Sequence, residues 1–466
     1  MNALHICCWG IIAHRGQTRC TTLMKKMHNF PRPNHDQPRA PSTAPDDSRY
    51  IYIACPWSPG GGGMYKVADY LIQCQSDHLP NGSARLRALD TRGSVGPRYS
   101  LWVLLTAIAR IAAGRLQGNL AGVHVNLATR MSLFRKGTLI VACAALGVPT
   151  VLHLHAQMNG FYERLPAVLR TLTRWVFSLP QGVIVIGPAA KGFVIDMLQL
   201  PADRVHTIIN GVPEPDSVSV TTPGSRLHRV LFLANLSDRK GLLDLLQALA
   251  HPALDTTGLT VTIAGGGNVA GYQAKARELG VSDLVRFEGW CDQRKVSRLL
   301  ANSDMLVLPS HDEVLPLAIL EALAHGVAVV TTAVGEIPSL LTDGVDAVFV
   351  TVASPARIAA GMQKVLKTPG LKQTLASNGR ALYARHFCLS SFFFNIAGVH
   401  QRYFGLSSHM NEKTPSVEDL QERADGGAMP PDDQAAGTKI QHPACTALQL
   451  TASMNAAAGS PAGFAA

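Results

Sequence analysis

The sequence predicts an α/β protein made of two doubly wound parallel sheets that face each other across a cleft. Between residues 49 and 406, short β-branched and aliphatic runs alternate with segments of helical periodicity, which is typical of parallel sheets covered by helices. A stretch rich in Pro, Asp, Ser, Thr and Gly at 213–227 interrupts this pattern once. A chain of 466 residues with 47% hydrophobic side chains is long and apolar enough for two cores.

The elements follow one another in an order that repeats. In the first half, a strand, a glycine-rich turn and a helix precede four further strands: YIYIACP, SPGGGG, MYKVADYLIQC, then GVHVNL, PTVLHLHA, GVIVIG and RVHTIING. The second half restarts with RVLFLANL, GLLDLLQALA, LTVTIAGGG, VRFEGW, DMLVLPS, LAILEALAHG and VAVVTTA. The predicted segments are a disordered leader (1–48), a first domain (49–212), a linker (213–227), a second domain (228–388), a helix returning to the first domain (389–406) and a disordered tail (407–466).

Charge is distributed unevenly over the chain, whose net charge is +10. Residues 49–212 carry 16 Lys and Arg against 6 Asp and Glu, whereas 228–406 carry 16 against 14. The basic first half suits an anionic membrane surface or a phosphorylated substrate, or is simply a solvated surface. We expect no nucleic acid partner, because zinc-finger spacing and RNA-binding aromatic signatures are absent from the sequence. Nine scattered cysteines without C-x-x-C, and no signal peptide, predict a cytoplasmic protein.

Two glutamates eight residues apart flank a predicted helix start. Glu313 follows the strand DMLVLPS, and Pro316 suits the first turn of the next helix. The free N–H groups of Leu317 and Ala318, with the positive end of the helix, can bind a diphosphate. Glu321 can then accept hydrogen bonds from ribose hydroxyls. Spacing alone is weak support, since an isolated Glu321 would be an ordinary polar residue on a helix face.

This pair, followed by EALAHGVAVVTTAVGEIPSLL, resembles the E-x7-E signature of retaining, nucleotide-sugar-dependent glycosyltransferases of family 4. The resemblance continues in FLANLSDRKGLLDLLQAL, VTIAGGG, VRFEGW and NGV, and covers roughly residues 50–405 in the order that the family requires. It implies the GT-B fold, with two Rossmann-like domains. The second domain would bind most of the nucleotide-sugar donor, and the first would bind the acceptor.

The resemblance also implies roles for individual residues. Lys240 would stabilise the leaving diphosphate, Glu321 would hold the ribose, and Glu313 would position the donor sugar. Further donor-binding positions are Gly62, Gly63, Asn235, Gly265, Gly289, Leu315, Pro316 and Leu317. Asn235 stands where the family usually has arginine, and the neighbouring Arg239 is an alternative source of that charge.

The strand VLHLHA places two histidines on one face, because alternate residues of a strand share a face. The resemblance assigns His155, nearer the strand end, a contact with the transferred sugar, and we expect His153 to be packed. A metal is not expected, since no D-x-D motif or further ligand spacing is present. The predicted reaction therefore needs no cofactor besides the donor.

Departures from the family pattern leave alternatives open. Val314 replaces a glycine, Glu336 a second glycine, and Ser339 the usual glutamate. These changes and Asn235 are compatible with a degenerate, non-catalytic nucleotide-binding subunit. A nucleotide-sugar 2-epimerase would use the same cleft without an acceptor.

A second open alternative concerns a different cofactor. Gly265, Gly267 and Ala270 match G-x-G-x-x-A, and Glu288 follows 21 residues after Gly267, as an NAD-binding protein requires. The match lies on the second strand of its unit, however, and the next segment is not clearly helical before Tyr272. We therefore favour the nucleotide side of a transferase cleft.

Two basic amphipathic segments, 100–116 and 164–180, combine Trp and Leu with Arg. We expect them to pack mainly on their own sheet. Partial contact with an anionic membrane is the alternative. The predicted function is retaining transfer of a hexosyl group from a nucleotide diphosphate sugar to the hydroxyl of a saccharide or lipid-linked acceptor. The setting we expect is polysaccharide or glycolipid assembly, with the protein peripheral on the inner face of the cytoplasmic membrane.

Overall fold

The computed structural model describes residues 49–57, 62–78, 84–93, 96–216, 218 and 228–406. The predicted leader and tail, and most of the predicted linker, lie outside the described residues. Within the described ranges, all pairs of neighbouring strands in two six-stranded sheets are parallel. The chain therefore has the predicted α/β architecture of two doubly wound, Rossmann-like sheets.

The first sheet has the strand order β2-β1-β3-β4-β5-β6. Its strands are β1 (Tyr50–Cys55), β2 (Arg85–Asp90), β3 (Leu120–Leu127), β4 (Thr150–Leu154), β5 (Gly182–Val185) and β6 (Val205–Thr207). Its helices are α1 (Gly62–His78), α2 (Pro97–Leu116), α3 (Met131–Ala145), α4 (Asn159–Glu163), α5 (Ala167–Ser178) and α6 (Pro188–Gly192), followed by a π-helical turn (Phe193–Met197) and a 3-10 turn (Ala202–Arg204).

Alternation along β1 shows how both faces of this sheet are covered. Ile51 and Ile53 are buried on the face covered by α1, while Tyr50 and Ala54 are buried on the opposite face with residues of α2, α3 and α5. Successive side chains of a strand point to opposite faces, so a strand buried on both sides reads as a continuous apolar run.

The second sheet has the order β12-β11-β10-β7-β8-β9. Its strands are β7 (His228–Leu233), β8 (Leu259–Ala264), β9 (Val285–Gly289), β10 (Met305–Leu308), β11 (Ala328–Thr332) and β12 (Val348–Val350). Its helices are α7 (Leu242–Leu249), α8 (Val269–Glu278), α9 (Gln293–Ala301), α10 (Leu317–Ala324), α11 (Ile337–Leu340), α12 (Pro355–Lys367) and α13 (Leu371–His386), with 3-10 turns at Asp238–Lys240 and Ser282–Leu284.

The last described helix, α14 (Leu389–Phe404), lies against β3, β4 and α1 of the first domain. Glycines of the first sheet accommodate its aromatic side chains. A Cβ atom at Gly122 would lie 2.4 Å from the ring of Phe404, and one at Gly182 would lie 2.4 Å from the ring of Tyr403. The first domain is thus completed by residues that follow the second domain in sequence.

Two edge strands are not predicted from the sequence. β2 reads RLRALD, and its arginines Arg85 and Arg87 are exposed, which is typical of a charged sheet edge rather than of a buried strand. β12 contains only three residues, Val348–Val350. β2 carries too few consecutive apolar residues for the pattern that identifies the central strands, whereas β12 lies in the apolar run AVFV and differs from them by its short length.

Candidate active site

Three predicted site residues of the second domain lie where its sheet changes its direction of growth. In the second sheet, β7 and β10 are neighbours although they are distant in sequence. Asn235 and Lys240 follow β7, and Glu313 follows β10, so the carboxyl ends of these strands bring them together. Ligands of doubly wound sheets bind at such switch points.

Glu321 is an almost fully buried carboxylate of the predicted site. It lies on α10 with 2% of its surface exposed. Its Oε1 forms an ion pair with Lys66, and accepts hydrogen bonds from Tyr70 Oη (3.0 Å) and Gln293 Nε2 (3.1 Å). Lys66 and Tyr70 belong to α1 of the first domain, so this carboxylate bridges the two domains. Burial, followed by the adjacent Glu321 charge, raises the pKa of Tyr70 well above its usual range.

All three hydrogen bonds to Glu321 end on the same oxygen. No group in the described part of the chain binds Oε2. An ionised carboxylate offers acceptor sites on both of its oxygens, so Oε2 keeps its own capacity to accept hydrogen bonds. Oε1 therefore fixes the orientation of the side chain, and Oε2 is left for a ligand. Sequence reasoning missed Lys66, Tyr70 and Gln293.

Lys240 and Glu313 form an ion pair across the switch point, with 15% and 11% of their side chains exposed. Ser310 Oγ donates a further hydrogen bond of 3.3 Å to Glu313 Oε1. The resemblance predicted separate roles for these two side chains, one toward the diphosphate and one toward the sugar. The structure places them in direct contact, so each side chain fixes the orientation of the other.

α10 begins at the first residue of the predicted segment LAILEALAHG, but Pro316 lies one position outside the turn in which it was predicted. Pro316 is the N-cap residue, with extended ψ, and the helix begins at Leu317 rather than within a turn that contains the proline. The first backbone bond into this turn is donated by Ile319 to Pro316 (3.1 Å). The N–H groups of Leu317 and Ala318 therefore lack helical acceptors, as expected for the first residues of a helix. Leu315 and Leu317 are buried beside them.

The glycine turn of the first domain meets these elements directly. A Cβ atom at Gly62 would lie 4.0 Å from Asn235 Nδ2, and one at Gly63 would lie 3.8 Å from Leu317. Gly62 has φ +67°, which only glycine adopts without strain. Asn235 is exposed. Arg239 donates instead to the carbonyl of Asp312 (2.7 Å), so it is directed into its own loop.

Gly265 and Gly289 adjoin each other at the ends of β8 and β9. The Gly265 N–H donates to Gly289 O over 2.8 Å. A Cβ atom at Gly265 would lie 1.7 Å from the carbonyl oxygen of Ala234, so the turn passes directly against the end of β7. Glu288, the acid of the dinucleotide alternative, pairs with Arg286 (2.6 Å) and Lys295 (2.7 Å). The Glu288 carboxylate is therefore already paired with two cationic side chains of its own domain.

His155 is held by a residue that the sequence did not single out. Its Nε2 lies 2.7 Å from Asn126 Oδ1, at the end of β3. An amide oxygen only accepts, so His155 carries its proton on Nε2 and presents Nδ1 as an acceptor. Burial, and then the neighbouring His124 and Lys136, lower the pKa of His155, which keeps the ring neutral.

Behind this pair lies a buried polar cluster. His124 contacts His153 (3.2 Å) and His400 of α14 (2.8 Å), so His153 is packed and hydrogen-bonded as predicted. Lys136 donates to the carbonyls of Ala54 (3.2 Å) and Asn126. Burial lowers the pKa of Lys136 to about 7. Among the described residues, no group of three or more His, Cys, Asp or Glu is arranged to hold a metal ion.

Glu336 forms a second bridge between the domains, at the position where the family pattern has glycine. Its Oε1 accepts from Ala190 N (2.9 Å) and its Oε2 from Ala189 N (3.3 Å), in the first turn of α6. Glu336 is 1% exposed. Ser339, the other departure, donates to the Glu336 carbonyl (2.8 Å). The two departures therefore belong to one local structure.

Comparisons with known proteins agree with this geometry. The family model described as "Glycosyltransferase Family 4" matches residues 75–214, and the one described as "Glycosyl transferases group 1" matches residues 222–382. D-inositol 3-phosphate glycosyltransferase of Frankia alni is 31% identical over 211 residues, 41% of this chain and 52% of that protein. The chain thus spans about half the length of this curated relative.

Solved structures support the fold. Sucrose-phosphate synthase of Thermosynechococcus elongatus superposes with a TM-score of 0.62 at 17% identity, covering 76% of this chain and 98% of that one. HepE of Anabaena, solved with UDP and glucose, gives a TM-score of 0.58 at 18% identity, covering 75% and 98%. The two family models together match well over half of the chain, one on each domain. The chain is therefore a member of glycosyltransferase family 4 with the GT-B fold.

Proposed function

We propose that this protein transfers a hexosyl group from a nucleotide diphosphate sugar to a hydroxyl acceptor with retention of anomeric configuration. The observation that carries the proposal is the half-occupied carboxylate of Glu321. Oε1 is fixed by donors from both domains, and Oε2 has no partner in the described residues. Oε2 would accept a ribose hydroxyl of the donor.

The donor diphosphate would lie between the start of α10 and Lys240. The N–H groups of Leu317 and Ala318 supply hydrogen bonds, and the helix terminus supplies a partial positive charge. Lys240 reaches the same place from the end of β7 and adds a full charge. Its partner Glu313 would then be freed from the direct pair and turn toward the sugar hydroxyls.

The chemistry we propose is a same-face substitution at the anomeric carbon. The bond from that carbon to the diphosphate breaks, and its electron pair leaves with the diphosphate. The acceptor oxygen forms the new bond on the same face, and its proton passes to a departing phosphate oxygen. His155 Nδ1 would accept a hydrogen bond from a donor-sugar hydroxyl. Lys240 and the two amides would stabilise the developing charge.

We also propose that the transfer is independent of metal ions, because Lys240 and the helix terminus can carry out the charge neutralisation that a divalent cation otherwise supplies. Activity is then expected to survive dialysis against EDTA. Loss of activity that returns with Mg²⁺ or Mn²⁺ would contradict this. The acceptor we propose is a saccharide or a lipid-linked saccharide on the cytoplasmic side of the membrane.

Thermal shift with UDP, GDP, ADP, CMP and NAD tests the donor site. A ligand at 100 times its Kd stabilises a protein by about 2.7 kcal/mol. We expect one nucleoside diphosphate to stabilise the wild type, and Glu321→Gln to lose most of that shift, because the amide replaces the acceptor charge with little change in size. Glu278→Gln, an exposed carboxylate paired with Lys275 on α8, is the matched control.

The outcomes separate the alternatives. Stabilisation by NAD alone would restore the dinucleotide interpretation, and a shift unaffected by Glu321→Gln would remove the proposed ribose contact. Incubation of candidate nucleotide sugars without acceptor tests the epimerase, which alone would yield an epimeric nucleotide sugar. Nucleotide binding without turnover of any acceptor would favour the non-catalytic subunit that Asn235 suggests.

A further inference from the structure

The first domain exposes an unusually apolar surface on three neighbouring helices. Of the 14 large apolar side chains exposed in the described part of the chain, ten lie on α2, α3 and α5. Its aromatic members are Tyr99, Trp102, Phe134 and Trp175, each 43–59% exposed. We call this surface the apolar face. Contiguous exposed apolar patches mark sites of interaction with proteins, membranes or ligands.

The three helices adjoin one another, since α2 contacts α3 and α3 contacts α5. α2 is the one helix of the described ranges that is long and apolar enough to cross a membrane, by length and composition. It nevertheless packs on β2 and β3, with Leu104 and Ile111 buried. The apolar stripe predicted to be covered is therefore only partly covered, and the remainder faces outward.

A cavity opens on this surface between α3 and α5. Its volume is about 250 Å³, and its walls include Leu133, Val141, Phe161, Leu165 and Trp175. The hydroxyls in the wall belong to Thr138 and Thr173, and both donate to carbonyls of their own helices, at 3.0 and 2.8 Å. No wall hydroxyl therefore requires a ligand partner, and the cavity suits a hydrocarbon occupant.

The segment that contains α2, α3 and α5 carries a large excess of positive charge. Residues 97–178 carry eight arginines against a single acidic residue, Glu163. Seven of these arginines are exposed: Arg98, Arg110, Arg115, Arg130, Arg164, Arg170 and Arg174. A segment that carries both exposed apolar side chains and exposed arginines is complementary to a bilayer whose headgroups are anionic. An acidic protein surface would match the charge but would leave the hydrocarbon cavity unfilled.

Two helices of the apolar face follow strands whose ends carry residues of the proposed site. α3 follows β3, whose end carries Asn126, and α4 and α5 follow β4, whose end leads to His155. An acceptor carried by a lipid would enter the first domain from this side.

We propose that the apolar face docks on an anionic phospholipid bilayer, with one acyl chain entering the cavity between α3 and α5 and the arginines contacting the phosphate headgroups. This inference rests on the lipid-linked acceptor proposed above.

Co-sedimentation of the full chain with vesicles tests the charge requirement. We expect binding to phosphatidylcholine vesicles that contain phosphatidylglycerol, and little binding to phosphatidylcholine alone. Arg110→Gln with Arg170→Gln should weaken binding about 25-fold, because each basic residue near such a surface contributes about 1 kcal/mol. Arg357→Gln with Arg385→Gln, both exposed on the second domain, is the matched control. Equal binding to both vesicle types, or equal loss in the control pair, would overturn the proposal.

A second measurement tests the cavity itself. Val141→Phe makes the surface more apolar but fills the cavity. Acyl-chain insertion predicts weaker binding, by about tenfold, and loss of Trp175 quenching by phosphatidylglycerol brominated on its acyl chain, measured in a Trp102→Phe background. The fluorescence of a Trp175→Phe variant in the same background measures the contribution of the remaining tryptophans, which is then subtracted. Unchanged or stronger binding of Val141→Phe would show that no chain enters the cavity.

Nucleotide-induced thermal shift, measured without vesicles, separates the two proposals. If the shift is normal and vesicles do not bind, the membrane inference alone fails. If vesicles bind and no nucleotide stabilises the protein, the proposed function fails and the membrane surface stands.

Discussion

The bridge between Glu336 and the start of α6 can be tested by a double-mutant cycle with Gly187. The Glu336 carboxylate accepts hydrogen bonds from Ala189 and Ala190 of the other domain, at 3.3 and 2.9 Å. Gly187 lies directly beneath it, and a Cβ atom there would be 2.4 Å from Glu336 Oε2. Gly187 has φ −168°, which any residue adopts, so this contact alone requires glycine.

The structure gives the size of each effect. Glu336→Ala leaves the buried Ala190 N–H without an acceptor, whereas the exposed Ala189 N–H gains water. The expected loss of unfolding free energy is about 2–3 kcal/mol, since a bond to a charged group contributes about 1.5–3 kcal/mol. Gly187→Ala should cost about 1–3 kcal/mol, because a methyl group is forced against a packed carboxylate.

The two losses should not add. In the Glu336→Ala background the carboxylate is gone, so Gly187→Ala should cost little, and the coupling energy should reach about 1–2 kcal/mol. Urea unfolding of the four proteins measures it, with fluorescence and circular dichroism compared to establish a single transition. Additivity within about 0.5 kcal/mol would refute the bridge.

Three further changes probe the site. The pKa of Lys136 is about 7 in the folded protein and near 10.5 in the unfolded chain, so between these values the unfolded chain binds the extra proton. The free energy of unfolding of the wild type should therefore rise by about 2 kcal/mol from pH 7 to 9. Lys136→Met should abolish this rise, as measured by urea titrations at each pH. Asn126→Leu should lower kcat by about 100-fold and the free energy of unfolding by about 1–3 kcal/mol, because the His155 Nε2–H loses its orienting acceptor; unchanged kcat would exclude that role. Lys66→Met should reduce the free energy of unfolding by about 1–3 kcal/mol, since it leaves the buried Glu321 charge without its cation; Lys275→Met, on an exposed pair, should not.

The sequence was most informative where local pattern and strand order decide the result. The central strands are apolar on both faces, so their runs are visible, and the positions of Glu313 and Lys240 at strand ends follow from the order of elements. β2 was missed because a charged edge strand lacks such a run, and β12 because it is only three residues long. Pro316 was predicted inside the first turn of α10, but it is the N-cap residue and precedes the helix.

The contacts between domains could not be predicted in the same way. Lys66 lies 255 residues before Glu321, and a lysine on a helix face carries no local sign of its partner. Asn126 lies among apolar residues of β3, and nothing in that strand indicates its role. Its hydrogen bond to His155 becomes evident only when β3 and β4 are placed side by side. Glu336 was noticed as a departure, but its acceptor role depends on the position of α6 in the other domain.

The position of α14 also affects how the chain is made. One face of the first sheet is covered by residues 389–404, and His400, Tyr403 and Phe404 meet β3 and β5 there. A ribosome that has just completed β6 must still add roughly 200 residues before this helix exists. At about 5–20 residues per second, that interval is roughly 10–40 s. During it, the first domain exposes an apolar sheet face, so chaperones that bind nascent chains should recognise this segment until synthesis reaches the end of the fold.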